Sequence, residues 1–458
     1  MAHYVIQDTT LTNIANAIRG KNGSEDVYKP NEMAEAISAI TTGGGSSEIK
    51  FRTPDEIYAE ERPSDWPVLP DPVVGSKNTY FLCKTLTIGK VNAKLGTVGY
   101  IDENGEYIAV ANTTGAYSGS YGYWTETDIT SSWDSRMDKY YVFKAETGDY
   151  TAESWSSSTA PTSCTKNVLE IKTALSSPSF NSVKVNSDSY NSYRSSFPKL
   201  KFISFYGPQD WTRAACKFYG YQSLLCIRFD SDENNAFLRA NTDITSAKEM
   251  FRGCYSYEAE IKLTSAWSAL TDITYLCYGC KHLTKLHLDC PYVTSYSYVT
   301  TSSDDVREIY VNLPAATASQ SYLLGQYCNV DKITRLNMSG ITSSSQYLTS
   351  YGMAYAREIE NVLIKRSSQS TWVVAPYYHA KRYTFDPEQS AADFPARLDV
   401  QYMNMPRAGW IEFFNSLPDA TGLGKTIYFT TGTTFGDTDS MDDDLLEILT
   451  GKGYTVTL

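Results

Sequence analysis

The feature that most constrains this chain is a repeat. From about residue 186, an apolar residue, two variable ones, an apolar, a variable and an apolar recur. The unit reads Leu200-Ile203-Phe205, Leu224-Ile227-Phe229, Leu283-Leu286-Leu288, Val306-Ile309-Val311, Ile333-Leu336-Met338 and Ile359-Val362-Ile364. It continues as Ala380-Tyr383-Phe385, Val400-Met403-Met405 and Gly424-Ile427-Phe429, with partial copies at Ile261-Leu263 and Val456-Leu458. In a chain that is 42% hydrophobic such a hexad is common by chance, so its regularity carries the inference. The central positions 203, 227, 261, 286, 309, 336, 362, 383, 403, 427 and 456 step by about 25 residues, a period that means stacked units in a solenoid. Outward positions between core residues are then Ser204, Arg228, Lys262, His287, Tyr310, Asn337, Thr384, Asn404 and Tyr428, expected to form one continuous face.

A second register supports the first. Met250-Phe251-Arg252-Gly253-Cys254, Leu276-Cys277-Tyr278-Gly279-Cys280 and Leu324-Gly325-Gln326-Tyr327-Cys328 each precede a strand. A cysteine recurring in one slot reads as a small buried hydrophobe stacked in a ladder. Nine cysteines with no secretory signal at the N-terminus favour buried thiols over a disulfide framework.

Ahead of the repeat the chain divides into three. Residues 1–40 carry two apolar stripes, Leu11, Ile14 and Ile18, then Met33, Ile37 and Ile40, the pattern of a helical hairpin. So short a hairpin needs a partner for these side chains, by docking or by self-association. Residues 41–72 read as a Gly/Ser linker and then a Pro-rich extended connector pinned by Trp66, too rich in proline for helix. Residues 73–185 carry strand-like runs at Tyr80–Leu82, Thr97–Ile101, Tyr107–Ala111, Tyr140–Phe143 and Val168–Ile171, with an Asn104-Gly105 hairpin turn. They predict a β-sandwich-like domain. The fold expected is mainly β with short helices: helical hairpin, sandwich-like middle, C-terminal solenoid over 186–458.

Charge and composition exclude several functions. A net charge of −12 over 458 residues argues against nucleic-acid binding and against a polybasic membrane anchor. No run of 18 apolar residues occurs, so no membrane insertion is expected. There are 36 tyrosines against 17 Phe and 8 Trp, many among Ser, Gly and Asn. Such composition suits a binding surface, and equally a β-rich fold using Tyr as strand filler. Two clusters qualify as anchors: Tyr292, Tyr296, Tyr298 and Tyr322, favoured because they adjoin the outward face, and Tyr117, Tyr121, Tyr123 and Trp124.

Five stretches carry a resemblance. Phe251-Arg-Gly-Cys254 and Cys277-Tyr-Gly-Cys-Lys-His-Leu-Thr-Lys-Leu-His-Leu288 resemble the repeat of BspA-type leucine-rich proteins. The stretch Ile411–Leu458 is similar to the last repeats of such proteins in prophages. Leu11–Gly20 with Pro30–Met33 resembles the N-terminal module of phage tail-fibre and baseplate-associated proteins, and Glu56–Tyr58 with Arg62–Trp66 their connector. No asparagine ladder of longer leucine-rich repeats is expected. The resemblance implies a non-enzymatic receptor-binding protein of a phage tail or phage-like particle, assembled in the host cytoplasm and carried on the virion. It implies tail or baseplate proteins as partners of the N-terminus and a bacterial surface glycan or protein as receptor of the repeats. The alternatives are a tail-borne glycan hydrolase and a secreted adhesin.

Catalytic and metal chemistry is not evident, and no cofactor is expected. Cys277, Cys280, His282, His287 and Cys290 can be drawn as a zinc site, but the cysteine ladder explains Cys280 and strand alternation turns His287 outward. Gly422-Leu-Gly-Lys-Thr426 lacks the first glycine of a P-loop. Asp442-Asp443-Asp444 suits a helix N-terminus. No pair of acids is singled out for glycoside hydrolysis.

Overall fold

The computed structural model describes residues 51–458 apart from 85–89, 93–95, 113–125, 129–133, 146–166, 178–182, 185–192, 195–196, 304, 317–322, 324–329, 338, 341–355, 366–370, 375–379, 402, 431–432, 437–439 and 458. The expected hairpin with Leu11, Ile14, Ile18, Met33, Ile37 and Ile40 lies outside the described residues, as do Tyr117, Tyr121, Tyr123, Trp124, Tyr322 and Cys328. The described chain is mainly β, with three short α-helices and a C-terminal β-solenoid of about eight turns.

It opens with helix α1 (Pro54–Glu61), where the sequence reading expected an extended connector. The reason is local. Pro54 occupies the first helical turn, where its missing N–H costs nothing. Thr53 caps the helix by accepting from Glu56 N at 3.2 Å, while Thr53 N donates back to Glu56 Oε2 at 2.8 Å. The prolines that follow shape the strap that leads away from α1, and Trp66 is buried in it as expected.

The five expected strands of the middle region all form: β1 (Thr79–Lys84), β3 (Gly96–Ile101), β4 (Tyr107–Asn112), β6 (Tyr140–Ala145) and β7 (Val168–Thr173). Short pairs join β2 (Lys90–Asn92) to β5 (Glu126–Asp128) and β8 (Val183–Lys184) to β9 (Tyr193–Arg194). Gly105, at φ +81°, makes the β3–β4 turn, closed by Asp102 N donating to Glu106 O at 2.9 Å. The separate sandwich expected here is not seen among the described residues. Instead β7 pairs in parallel with β10 (Phe202–Phe205), which pairs with β11 (Cys226–Phe229). One seven-stranded sheet, ordered β11-β10-β7-β1-β6-β3-β4, thus crosses the expected domain boundary. It is antiparallel from β7 to β4 and parallel where the repeat begins.

The second sheet is wholly parallel. It stacks β12 (Ile261–Leu263), β13 (Lys285–Asp289), β14 (Glu308–Asn312), β15 (Val330–Asn337) and β16 (Ala356–Leu363). After β17 (Thr371–Val374), which belongs to another sheet, β18 (Arg382–Phe385) completes it. Two apolar columns run through the core: Leu286, Ile309, Ile333, Ile359 and Tyr383, then Leu288, Val311, Leu336, Val362 and Phe385. Ile333 and Leu336 lie three residues apart, not two, so Leu336 and Val362 fill the second column rather than the central slot given by the hexad.

Toward the C-terminus β17 pairs with β19 (Arg397–Val400), and β20 (Asn404–Met405) lies alongside β22 (Thr434–Phe435). Helix α2 (Arg407–Ser416) packs on β18 in place of a further strand. Gly409 permits this approach: a Cβ there would sit 2.5 Å from Lys381 O. The third sheet continues from β19 through β21 (Thr426–Phe429) to β23 (Thr455–Thr457). Helix α3 (Asp443–Gly451) packs on α2, capped by Asp442, which accepts from Leu445 N at 2.8 Å.

Candidate functional surfaces

The nine outward positions do not make one face. Ser204 is buried, and Arg228 lies beneath α1, its guanidinium 4.0 Å from the Tyr58 ring centroid and 2.6 Å from Asp55. The strap covers this face with further polar contacts. Glu170, its side chain fully buried, accepts from Tyr58 Oη at 2.6 Å and from Arg62 Nε at 2.9 Å. Lys172 Nζ donates to Leu69 O at 2.8 Å and Asp71 Oδ1 at 2.6 Å. Phe202 and Cys226 also face the strap, Phe202 edge-on to Tyr58 and Trp66, and Cys226 Sγ donating to Pro54 O. Asn404 and Tyr428 stand on other sheets, with Arg397 over the Tyr428 ring at 4.1 Å. Thr384 is set off from the row below by the bulge at Asn361, whose backbone N–H donates to Thr384 Oγ1.

What remains is a row on the second sheet. Lys262 pairs in register with His287, His287 with Tyr310, and Tyr310 with Arg335. The rings of His287 and Tyr310 stack at 4.2 Å, 2° from parallel. Burial, aided by Lys262 and Lys285, holds the imidazole below its ordinary pKa. Arg335 Nη1 meets the buried Asp386 at 2.8 Å. The bulge between Ile309 and Tyr310 brings Arg335, not Asn337, into this row. Asn337 is buried instead in a neighbouring file. Its Nδ2 donates to Asn312 Oδ1 at 2.7 Å, and Asn312 Nδ2 donates to Asp289 Oδ1 at 2.6 Å. A short asparagine ladder is therefore present after all.

On the other side of the row runs an alternating file of charge. Lys285 lies 3.0 Å from Glu308 and 3.9 Å from Glu260. Lys332 lies 3.0 Å from Glu360 and 3.9 Å from Glu358, and Arg382 meets Glu360 and Glu412. Like charges placed opposite one another would repel, so this alternation disfavours a slip by one turn.

A second surface lies at the corner before the strands. Cys216, Glu249, Tyr275 and Tyr298 all take left-handed φ, between 52° and 58°. Four residues later Gly220, Gly253, Gly279 and Ser302 do the same. These slots stack directly: Cys216 N donates to Lys248 O, Glu249 N to Thr274 O, and Tyr275 N to Ser297 O. Left-handed φ costs a non-glycine residue on the order of 1 kcal/mol, and the stacking enforces it turn after turn. The expected cysteine ladder stands here. Cys254 Sγ donates to Phe218 O and Cys280 Sγ to Phe251 O, while Ser303 Oγ in the same slot donates to Cys277 O. Burial raises the Cys254 and Cys280 thiols, which keeps them protonated donors.

The corner's partly exposed side is aromatic. Tyr275 stacks on Tyr298 at 5.4 Å and 8°, with Tyr278 edge-on to Tyr275. Arg252, held by the buried Glu249 at 3.0 Å, sits over Tyr275 at 4.9 Å, Tyr278 at 5.0 Å and Tyr219 at 5.8 Å. Lys281 lies over Tyr255, which is 43% exposed. Of the described members of the favoured tyrosine cluster, Tyr298 belongs to this assembly. Tyr292 is 54% exposed, whereas Tyr296 is fully buried and is core rather than anchor. Tyr292, Tyr296 and Tyr298 therefore do not present their rings on one side, and Tyr298 turns left-handed.

Among the described residues no group of three or more His, Cys, Asp or Glu could hold a metal ion. Cys277, Cys280 and Cys290 are buried free thiols, while His282 lies 3.0 Å from Asp305 at the surface. No described helix is long and apolar enough to cross a membrane. Comparison with protein-family models, curated proteins and solved structures returns no match.

Proposed function

We propose that this is a non-enzymatic recognition protein: the receptor-binding component of a phage tail or phage-like particle, with BspA-type leucine-rich repeats. Residues 1–40 would attach it to tail or baseplate proteins, as a trimer, and the solenoid would meet a bacterial surface glycan or protein. The observation that carries the reading is the Lys262–His287–Tyr310–Arg335 row, a registered file of polar and aromatic groups, each only partly buried. Preordered side chains of this kind lose little entropy on binding. The experiment is adsorption of the purified full chain to candidate host cells. His287→Ala with Tyr310→Ala should lower the fraction bound at least tenfold while leaving the melting temperature within a few degrees. Equal adsorption by the double variant would remove this row from the recognition surface. Light scattering on the full chain and on one starting at Ser46 tests the trimer, and a monomer in both would dismiss it.

A further inference from the structure

We propose that the tyrosine corner is a second binding site, one that takes a linear neutral glycan lying along the solenoid axis. The proposal rests on the recognition reading and names a ligand class for it. Tyr219, Tyr255, Tyr275, Tyr278 and Tyr298 come from successive turns, and none is fully buried. Those turns are hydrogen-bonded to one another at 2.8–2.9 Å, through Gly220 to Arg252, Gly253 to Tyr278 and Gly279 to Thr301. Neighbouring turns therefore stand at about the 4.8 Å spacing of paired strands. That repeat is close to one sugar unit of an extended polysaccharide. A phenol both donates and accepts, as sugar hydroxyls do, and its ring offers an apolar flank to C–H groups.

The guanidinium of the corner is not a free anchor for an acidic ligand, and Lys281, over Tyr255, is the cation that an acidic glycan would test. Glu249 already compensates Arg252, so the guanidinium serves to brace the rings. The backbone fixes where the rings stand: Tyr275 and Tyr298 fill the left-handed slot that Cys216 and Glu249 fill in the two earlier turns.

Affinity electrophoresis of the full chain is the test, in gels containing a linear β-glucan, mannan, dextran, polygalacturonate or duplex DNA. The wild type should be retarded by at least one neutral glycan and not by polygalacturonate or DNA. Tyr255→Phe with Tyr278→Phe keeps the rings and removes two hydroxyls, and should weaken that retardation at least fivefold. Tyr255→Ala with Tyr278→Ala should abolish it, and Leu423→Ala, an exposed apolar change elsewhere, should not alter it. Retardation by polygalacturonate or DNA in preference to neutral glycans would overturn the proposal, as would no retardation by any neutral glycan. Unchanged retardation of the Phe pair would do so as well. Cell adsorption separates this site from the broader reading. If the Phe pair adsorbs normally while the His287/Tyr310 variant does not, the corner is wrong and recognition stands. If the wild type does not adsorb at all, recognition itself fails.

Discussion

The strapped strands β7, β10 and β11 and the open strands β12 to β15 use the same backbone pairing for opposite ends. On the first group, outward positions hold Phe202, Cys226, Glu170 and Lys172, and α1 with its strap covers them. On the second they hold Lys285, His287, Asp289, Glu308, Tyr310 and Asn312, and each is only partly buried. Apolar residues and a fully buried carboxylate on an outward face mean that something sits on it. A file of alternating, partly buried charge needs no such cover. Repeat position alone therefore does not mark a recognition surface; the chemistry of the alternate residues does.

The contrast breaks most sharply at Glu170. Glu170→Ala takes the carboxylate from Arg62 Nε and Tyr58 Oη in a buried interface, leaving Arg62 the Trp66 and Pro67 carbonyls, and should cost about 3–5 kcal/mol in denaturant unfolding. A loss below about 1 kcal/mol would mean that the strap is loosely held.

The inner side of the first turn differs too. Lys217 fills the slot that Met250, Leu276 and Val299 fill in later turns, its Nζ 4.4 Å from the Trp211 ring centroid. Burial pushes it down to about 7 from an ordinary 10.5. Unfolded, this lysine keeps its proton up to about 10.5, whereas folded it sheds it above about 7. Between those values the unfolded chain binds more protons, so stability should rise with pH. Lys217→Met should remove that slope and add on the order of 2 kcal/mol near neutral pH. A variant less stable than wild type, with the slope intact, would show that the ammonium is well served where it is.

On the open strands the effects should be small. Lys285→Ala should cost about 0.5–1 kcal/mol at low salt and less at high salt, because its partners are partly solvated. A larger, salt-independent loss would mean that the charge file behaves as buried structure, like the strap.

Much of this architecture was legible, and the failures have physical causes. The hexads located the core columns because burial on one side imposes alternation. The cysteine slot was readable because Gly253-Cys254 and Gly279-Cys280 repeat literally. The bulge that swaps Asn337 for Arg335 was not readable, since a bulge has no residue signature here. Helix α1 was written in Thr53-Pro54-Asp55-Glu56, a capping box outweighed by the prolines after it. The tyrosine corner escaped because nothing in a tyrosine announces left-handed φ; stacking on the next turn imposes it. Gly220, Gly253 and Gly279, each four residues after such a position, were the available clue.

The continuous seven-stranded sheet has a consequence for how the repeat comes to exist. A solenoid turn has nothing to dock on until a previous turn is in place, and long parallel pairings are slow to start. Here β7 is the edge strand of the antiparallel part β7-β1-β6-β3-β4, and its far edge is already aligned for Phe202–Phe205. That edge acts as a seed crystal. Growth has one direction, from the N-terminal side outward, which is also the order in which a ribosome delivers the chain. Growth of the second sheet stops at β18, on which α2 packs in place of a further strand, and β21 and β23 stack beyond β19 in the third sheet instead.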